Sequence, residues 1–518
     1  MRYALTAEQV RDREMAAVDS GATSLEALME RAGGALAAEV ARRAPTGEIV
    51  VVTGKGNNGG DGWVAARALA EAGRAVRVLA CAPPDELTGP AAQAAHTAAR
   101  AGVAWAAAFD GDALLKALEG AAVVVDAVFG IGFAGAAREP YASAIAAMVA
   151  ARDAGVLVVA ADVPSGIDAD TGAAQGPAVR ASVTVTFSAL KPGLLLHPGA
   201  AHAGKIAIAD VELPVAQVPA GALEVWDPQD YRALLPATEP DAHKGSRGRV
   251  LVVAGSHRFA GAAVLAAAGA ARMGAGYVIA AVPSPVVSVV QSALPHVIVA
   301  DIEADDDGGF GPSAAAAVRR LATDADAVIV GPGIGLGEGA VALVSELIDG
   351  VEVPLVLDAD ALNALGTEWS RALKAREGRG ATTIVTPHPG EAARLLGIKP
   401  GDVQANRPAA ARCLVGARRV CVLKGARTIV AGARRAAVTR AGNPGMATAG
   451  TGDVLAGMLG TLLAQGLEPY EAGVLGAYLH GRAGDLAAAD LTETCLVAGD
   501  LPTYLPAAVR ELTGGSLG

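Results

Sequence analysis

The feature that most constrains this chain is a repeated change of hydrophobic period. Short apolar runs rich in β-branched residues end in glycine- or carboxylate-bearing turns, and stretches with helical spacing follow. In the first half the runs cover residues 49–53, 76–80, 122–125, 156–161 and 183–187. In the second half they cover 249–254, 277–282, 327–330, 354–357, 382–386 and 419–423. Continuous apolar runs of this length suit strands covered on both faces, and their alternation with helices predicts parallel sheets in an α/β fold. A chain of 518 residues exceeds what one hydrophobic core supports. Prolines punctuate the stretch from Glu212 to Gly221, so the expected domains are residues 1–215 and 225–518. No repeat relates the two halves.

Composition removes several classes of function. Apolar residues make up 52% of the chain but aromatics only 3%, the excess being mostly alanine. The longest apolar candidates, such as residues 454–464, are too short for a membrane span. The first residues, Met1 to Glu8, lack a basic segment leading into an apolar one, so no secretory leader is expected, and the expected location is cytoplasmic. A net charge of −11 argues against a nucleic-acid binder. The four cysteines, Cys81, Cys413, Cys421 and Cys495, form no metal-ligand pair and suit a reducing compartment.

Thr6 and Gln9 fit a capping box ahead of a short helix, and a second helical pattern runs over residues 24–43. The 49–53 run leads into Gly54-Lys55-Gly56-Asn57-Asn58-Gly59-Gly60-Asp61-Gly62. Gly54, Gly56 and Gly59 match the dinucleotide fingerprint GxGxxG, but Cys81 stands where the ribose-binding acid should close the next strand. Asn57, Asn58 and Asp61 offer side-chain oxygens, which suit a monovalent cation or a polar ligand better. Later runs end at Asp126, at Asp162-Val163-Pro164-Ser165, and before Lys191. Ligands of an open parallel sheet bind beyond the carboxyl ends of its strands, so Asn58, Asp126, Asp162, Ser165 and Lys191 are expected to share one pocket. Each taken alone also reads as a loop cap.

GKGNNGGDG, the segment from Asp126 through Phe129-Gly130-Ile131-Gly132-Phe133, and ADVPSGID with the later KPG resemble the NAD(P)H-hydrate epimerase family, whose fold is Rossmann-like. The resemblance implies interconversion of the epimers of NAD(P)HX, the hydrated form of NAD(P)H. It implies substrate contacts from Asn57, Asn58, Gly59, Gly60 and Asp61, from Gly130, Ile131, Gly132, Phe133, Ala134, Gly135 and Ala136, and from Asp162. Asn58, Asp126 and Ser165 would hold a potassium ion, and Asp162 and Lys191 are the expected acid–base groups.

In the second half, Gly442-Asn443-Pro444-Gly445 leads to Gly450-Thr451-Gly452-Asp453 and then to an apolar helical pattern. Backbone amides at such a junction converge on an anion, and Asp453 would stand beside it as a base. A tight turn capped by an aspartate fits the same residues. No GxxxxGK[ST] phosphate loop occurs. Lys424 and Arg427 offer cations for a phosphate, whereas Asp305-Asp306-Asp307 reads as a solvated turn.

HKGSRGRVLVVAGS (from His243), GPGIG, LDADALNAL, TPHPGE, LKGART and GNPGMATAGTGD resemble the ribokinase-like NAD(P)H-hydrate dehydratases. In this order the two halves resemble the bifunctional NAD(P)H-hydrate repair enzymes. The resemblance implies ADP-driven removal of water from S-NAD(P)HX, with magnesium, on NADHX and NADPHX alike. It implies nucleotide contacts from Lys424, Gly425, Ala426, Arg427, Thr428, Gly450, Thr451 and Gly452, and substrate contacts from Ala262, Gly333, His388 and Asp453. A homo-oligomer is expected. The rival readings are a ribokinase-like small-molecule kinase for the second half and a non-catalytic binding module for the first.

Overall fold

A computed structural model describes residues 1–107, 111–213, 218–237 and 239–514. The chain divides into two compact units, Arg2–Leu223 and Glu224–Gly518, with Met1 grouped to the second. Residues 214–217, part of the proline-punctuated stretch expected to join two domains, lie outside the described residues.

The first unit is built on a seven-stranded sheet. Its strands are β1 (Ile49–Thr53), β2 (Val76–Ala80), β3 (Ala104–Ala107), β4 (Val123–Ala127), β5 (Leu157–Ala161), β6 (Val183–Phe187) and β7 (Lys205–Ala209). Their spatial order is β3-β2-β1-β4-β5-β6-β7, and every pairing is parallel. The order reverses between β1 and β4, which opens a crevice at their carboxyl ends. Helices Leu25–Arg43 and Asn57–Glu71 pack together over one face, with Leu36, Trp63 and Val64 against Ile49 and Val51 in one core. The Thr6 cap forms as expected: Thr6 Oγ1 accepts from the Gln9 amide at 3.2 Å, and Gln9 Oε1 accepts from the Thr6 amide at 3.0 Å.

The second unit carries β8 (Arg249–Val253), β9 (Tyr277–Pro283), β10 (Ile298–Ile302), β11 (Ala327–Val330), β12 (Leu355–Leu357), β13 (Thr383–Val385), β14 (Arg419–Leu423), β15 (Ile429–Ala431) and β16 (Ala436–Val438). They lie in the order β16-β15-β14-β13-β12-β11-β8-β9-β10. From β14 to β10 the pairings are parallel, and β15 and β16 add antiparallel strands at one side. Glycines set the position of helix Thr451–Ala464 against helix Ala260–Arg272. A methyl group at Gly457 would lie 2.0 Å from the Ala266 carbonyl oxygen, and one at Gly269 would lie 2.3 Å from that of Val454. Gly460 meets Ile329 of β11 in the same way, at 2.4 Å. The helix is thereby seated on the sheet with its N-terminus at the carboxyl ends of the strands.

Candidate active sites

In the first unit, the turn after β1 folds tightly because its glycines lack side chains. A methyl at Gly54 would sit 2.1 Å from the Val128 carbonyl oxygen, and one at Gly59 would sit 2.0 Å from that of Gly54. This closeness brings helix Asn57–Glu71 directly off the strand. Asn58 is buried there, and both polar atoms of its side chain lack a hydrogen-bond partner. Below it, at the end of β4, Asp126 is fully buried. Its carboxylate accepts from the Ser165 amide at 2.8 Å, the Ser165 hydroxyl at 2.5 Å and the Val128 amide at 3.3 Å. Burial raises the Asp126 carboxyl to about 6, although the Ser165 hydrogen bonds pull the other way.

A cavity of about 510 Å³ adjoins Asn58, and Glu14, Asp61, Phe133, Asp162 and Lys191 are among its other lining residues, whereas Asp126 and Ser165 are not. Asp162 has a left-handed backbone, φ 64°, which is uncommon outside glycine. Lys191 and Asp162 form a buried ion pair. Lys191 Nζ also donates to Thr186 Oγ1 at 3.0 Å and to the Phe187 carbonyl at 2.8 Å, which occupies all three of its hydrogens. Asp61 is buried beside them, and its carboxyl is raised well above the usual range, first by burial and then by the charges of Asp162 and Glu14. Glu14 is raised by the same two causes, burial first and Asp162 second.

Of the residues expected here, Asn57, Asn58, Asp61, Gly130, Ile131, Gly132, Phe133, Ala134, Asp162 and Lys191 line the cavity. Gly59 and Gly60 serve close packing, Gly60 against Met29, and Ala136 lies against Gly176. Glu14 was not foreseen. It stands four residues after Val10 and three before Ala17, both buried, so its carboxylate interrupts the inward face of helix Ala7–Asp19. A charge on an apolar stripe was the available signal.

In the second unit, Gly450 adopts φ 92° and caps helix Thr451–Ala464. Asp453 lies in the first turn of that helix. Lys424, immediately after β14, donates to Asp358 Oδ1 at 2.6 Å and lies 4.0 Å from Glu391 Oε2. Its ammonium would be 3.0 Å from a methyl group at Gly452, so it reaches the loop itself. Asp358 also accepts from Thr386 Oγ1 at 2.7 Å, and its other oxygen is buried without a partner. Burial acts to lower Lys424, but Asp358, Glu391 and Asp453 outweigh it and raise the ammonium. Burial, then repulsion from Asp358, raises the Asp453 carboxyl to about 7, even though Lys424 opposes the shift. A carboxylate there can take up a proton near neutrality.

A methyl at Gly333 would sit 2.8 Å from Ala262 Cβ, so these two residues form one wall. His388 caps helix Pro389–Leu396, its Nδ1 accepting from the Gly390 amide at 3.0 Å. The Lys424-to-Thr428 turn is strained open, with φ 137° at Gly425 and 62° at Arg427. Both cations offered for a phosphate are committed within the protein: Lys424 to Asp358, and Arg427 Nη1 to the Arg440 carbonyl at 2.5 Å. Arg407, absent from the expectations, braces the turn by donating to the carbonyls of Leu423 at 3.1 Å and Lys424 at 3.2 Å. Asp358 and Glu391 sat in the motifs that flagged this region, but nothing in their spacing announced that they would meet Lys424. Asp305 accepts from the Asp307 and Gly309 amides at 3.1 and 2.7 Å, closing a turn on itself.

Taken together, these features define an α/β protein with a Rossmann-like unit followed by a ribokinase-like unit, each with a titratable cluster at the carboxyl ends of its strands. Comparison with known proteins makes the class specific. Residues 250–506 match a family model described as NAD(P)H-hydrate dehydratase, and residues 25–193 match one described as YjeF-related protein N-terminus. A bifunctional NAD(P)H-hydrate repair enzyme of Moorella thermoacetica is 38% identical over 500 residues, covering 94% of this chain and 92% of the relative. One from Thermofilum pendens is 38% identical over 512 residues, covering 97% and 94%. An ADP/ATP-dependent NAD(P)H-hydrate dehydratase of Bacillus subtilis, co-crystallised with ATP and Mg2+, is 28% identical with a TM-score of 0.47, covering 56% of this chain and 99% of that one. The chain belongs to the family of bifunctional NAD(P)H-hydrate repair enzymes.

Proposed function

We propose that the first unit interconverts the R and S epimers of NADHX and NADPHX, and that the second removes water from the S epimer at the expense of ADP, giving NAD(P)H, AMP and phosphate. The observation that carries the second activity is the elevated Asp453 carboxyl beside the amides of Gly450, Thr451 and Gly452. Asp453 takes the proton from the ring hydroxyl as that oxygen attacks the terminal phosphoryl group, and the loop amides receive the charge that develops in transfer. Phosphate then leaves the ring carbon far more readily than hydroxide would, the neighbouring ring carbon gives up a proton, and the double bond so formed restores the dihydropyridine ring. Ala262 and Gly333, which pack together, and His388 are the groups assigned to contact the hydrated cofactor. The Lys424-to-Thr428 turn receives the nucleotide through its backbone, and Lys424 and Arg427 keep donors beyond their bonds to Asp358 and the Arg440 carbonyl.

Magnesium would neutralise the phosphate oxygens when bound. Among the described residues no group of three or more His, Cys, Asp or Glu side chains could hold a metal ion, which fits an ion that arrives with the nucleotide. In the first unit, Asn58 Oδ1, Asp126 and Ser165 offer hard oxygens suited to potassium, and the unpartnered Asn58 oxygen supports that assignment. Acid–base work there falls to the Asp162–Lys191 pair, with Asp61 beside it as a carboxyl that burial raises well above the usual range.

The direct test is Asp453→Asn, followed by the ADP-dependent return of the near-ultraviolet absorbance of reduced nicotinamide. The expected loss is about 100-fold or more, the scale of a missing general base. Near-normal turnover would remove Asp453 from the mechanism. A stable phosphorylated product in place of free phosphate would make the second unit a kinase.

A further inference from the structure

One helix, Pro469–Leu491, meets the Gly442-to-Asp453 loop at both of its ends. At the near end, His480 Nε2 lies 2.8 Å from the Thr451 carbonyl oxygen, and donation to that oxygen requires the Nε2–H tautomer. At the far end, the Asp485 carboxylate accepts from the Gly442 amide at 3.1 Å and from Asn443 Nδ2 at 3.1 Å. Between them the helix has no side chains where the loop crosses it. A methyl at Gly481 would lie 2.6 Å from the Ala441 carbonyl carbon, and one at Gly484 would lie 2.2 Å from Met446 Sδ. Residues 480, 481, 484 and 485 follow the i, i+1, i+4, i+5 spacing of one helical face. The loop adds its own ties: Asn443 Oδ1 accepts from the Gly445 amide at 3.0 Å, and Thr451 Oγ1 donates to the Met446 and Thr448 carbonyls, each at 3.2 Å.

We infer that His480 and Asp485, with the bare surface at Gly481 and Gly484, are positioning residues that set the shape of the anion-binding loop and the aim of Asp453. The inference rests on the reading of that loop as the nucleotide site. Burial lowers His480 to about 4, so its ring is neutral at physiological pH and acts as a fixed hydrogen-bond donor rather than a proton carrier. Its position behind the helix start keeps the Gly450-to-Asp453 amides directed outward. Without it, the loop would have to find its binding geometry at the moment the nucleotide arrives, and affinity would fall by the population of the correct shape.

The test compares the full-length protein with His480→Phe, His480→Gln and Asp485→Ala in the ADP-dependent dehydration of S-NADHX, recording KM for ADP and kcat separately. His480→Phe is expected to raise KM for ADP about tenfold, the scale of one buried hydrogen bond. His480→Gln, which keeps an N–H donor, is expected to return KM to within about threefold of the parent. Asp485→Ala, at a partly exposed position, is expected to raise KM by a similar factor. In His480→Gln the pH profile of kcat keeps its midpoint, because the ring carries no proton in the reaction. Unchanged KM for ADP in both His480→Phe and Asp485→Ala overturns the inference. So does a loss of activity that the glutamine variant does not rescue and that leaves KM unaltered. If His480→Phe does not fold, the Asp485→Ala value of KM decides. A parent protein with no ADP-dependent dehydration would instead overturn the reading of the loop.

Discussion

Asp453 links structure to pH dependence at the scale of a single residue. In its proposed role as base it works when deprotonated, so the dehydration rate should rise with pH through about 7, measured as kcat across pH 5 to 9. The same shift bears on stability. Its folded value, about 7, exceeds its ordinary value of 3.8, so between these the folded state holds a proton that the unfolded chain has released. The stability contributed by that proton is therefore lost as pH rises across this window. Asp453→Asn should stabilise the second unit by about 1–3 kcal/mol at pH 8 and by much less at pH 4, read from chemical denaturation at the two pH values. Asp453, Asp162 and Lys191 were legible as chemistry because glycine turns at strand ends announced them. Glu14 and the Lys424–Asp358 pairing were not, because their partners lie far away in sequence, and Arg407 was not, because it acts on the backbone carbonyls of Leu423 and Lys424. Asp358 and Lys424 are separated by 66 positions, and only the parallel ladder makes them neighbours.

Among elements, the buried strands were legible and the outer ones were not. β1, β2, β6, β11 and β14 have the bounds that the sequence runs predicted, because β-branched and apolar residues dominate strands that are covered over most of their length. β3 and β10 passed unnoticed. Ala104–Ala107 is exposed along its length and alanine-rich, and Ile298–Ile302 mixes exposed and covered positions around Asp301. The β15–β16 hairpin was missed for its brevity, with three residues in each strand. The close seat of helix Thr451–Ala464 could not be foreseen either, since a helical glycine reads as a weak point until its neighbour is known. Gly457→Ala forces a methyl to within 2.0 Å of the Ala266 carbonyl oxygen, so the two helices must part. The expected cost is about 1–3 kcal/mol, seen as a lowered Tm, together with reduced dehydratase activity as the anion loop shifts. In the first unit, potassium at 100 times its Kd should add about 2.7 kcal/mol to stability, and Asp126→Asn should abolish that potassium-dependent rise in Tm.

For the whole molecule, each unit holds a complete cluster of its own: Asp61, Asp162 and Lys191 in the first, Asp358, Lys424 and Asp453 in the second. Every side chain named in each cluster belongs to its own unit, so damage to one should leave the other working. Asp162→Ala should slow epimer interconversion by about 100-fold while dehydration of pure S epimer continues at the parental rate, and Asp453→Asn should do the reverse. The value of joining the two lies in the substrate, because dehydration of the S epimer alone would strand the R epimer. The central claim is therefore tested most directly by giving the purified full-length protein a mixture of R- and S-NADHX with excess ADP and following both epimers to completion. Both should disappear, with one reduced nicotinamide, one AMP and one phosphate formed for each hydrate consumed. An R epimer that decays only at its uncatalysed rate, or ADP consumed without return of the reduced ring, would contradict the account.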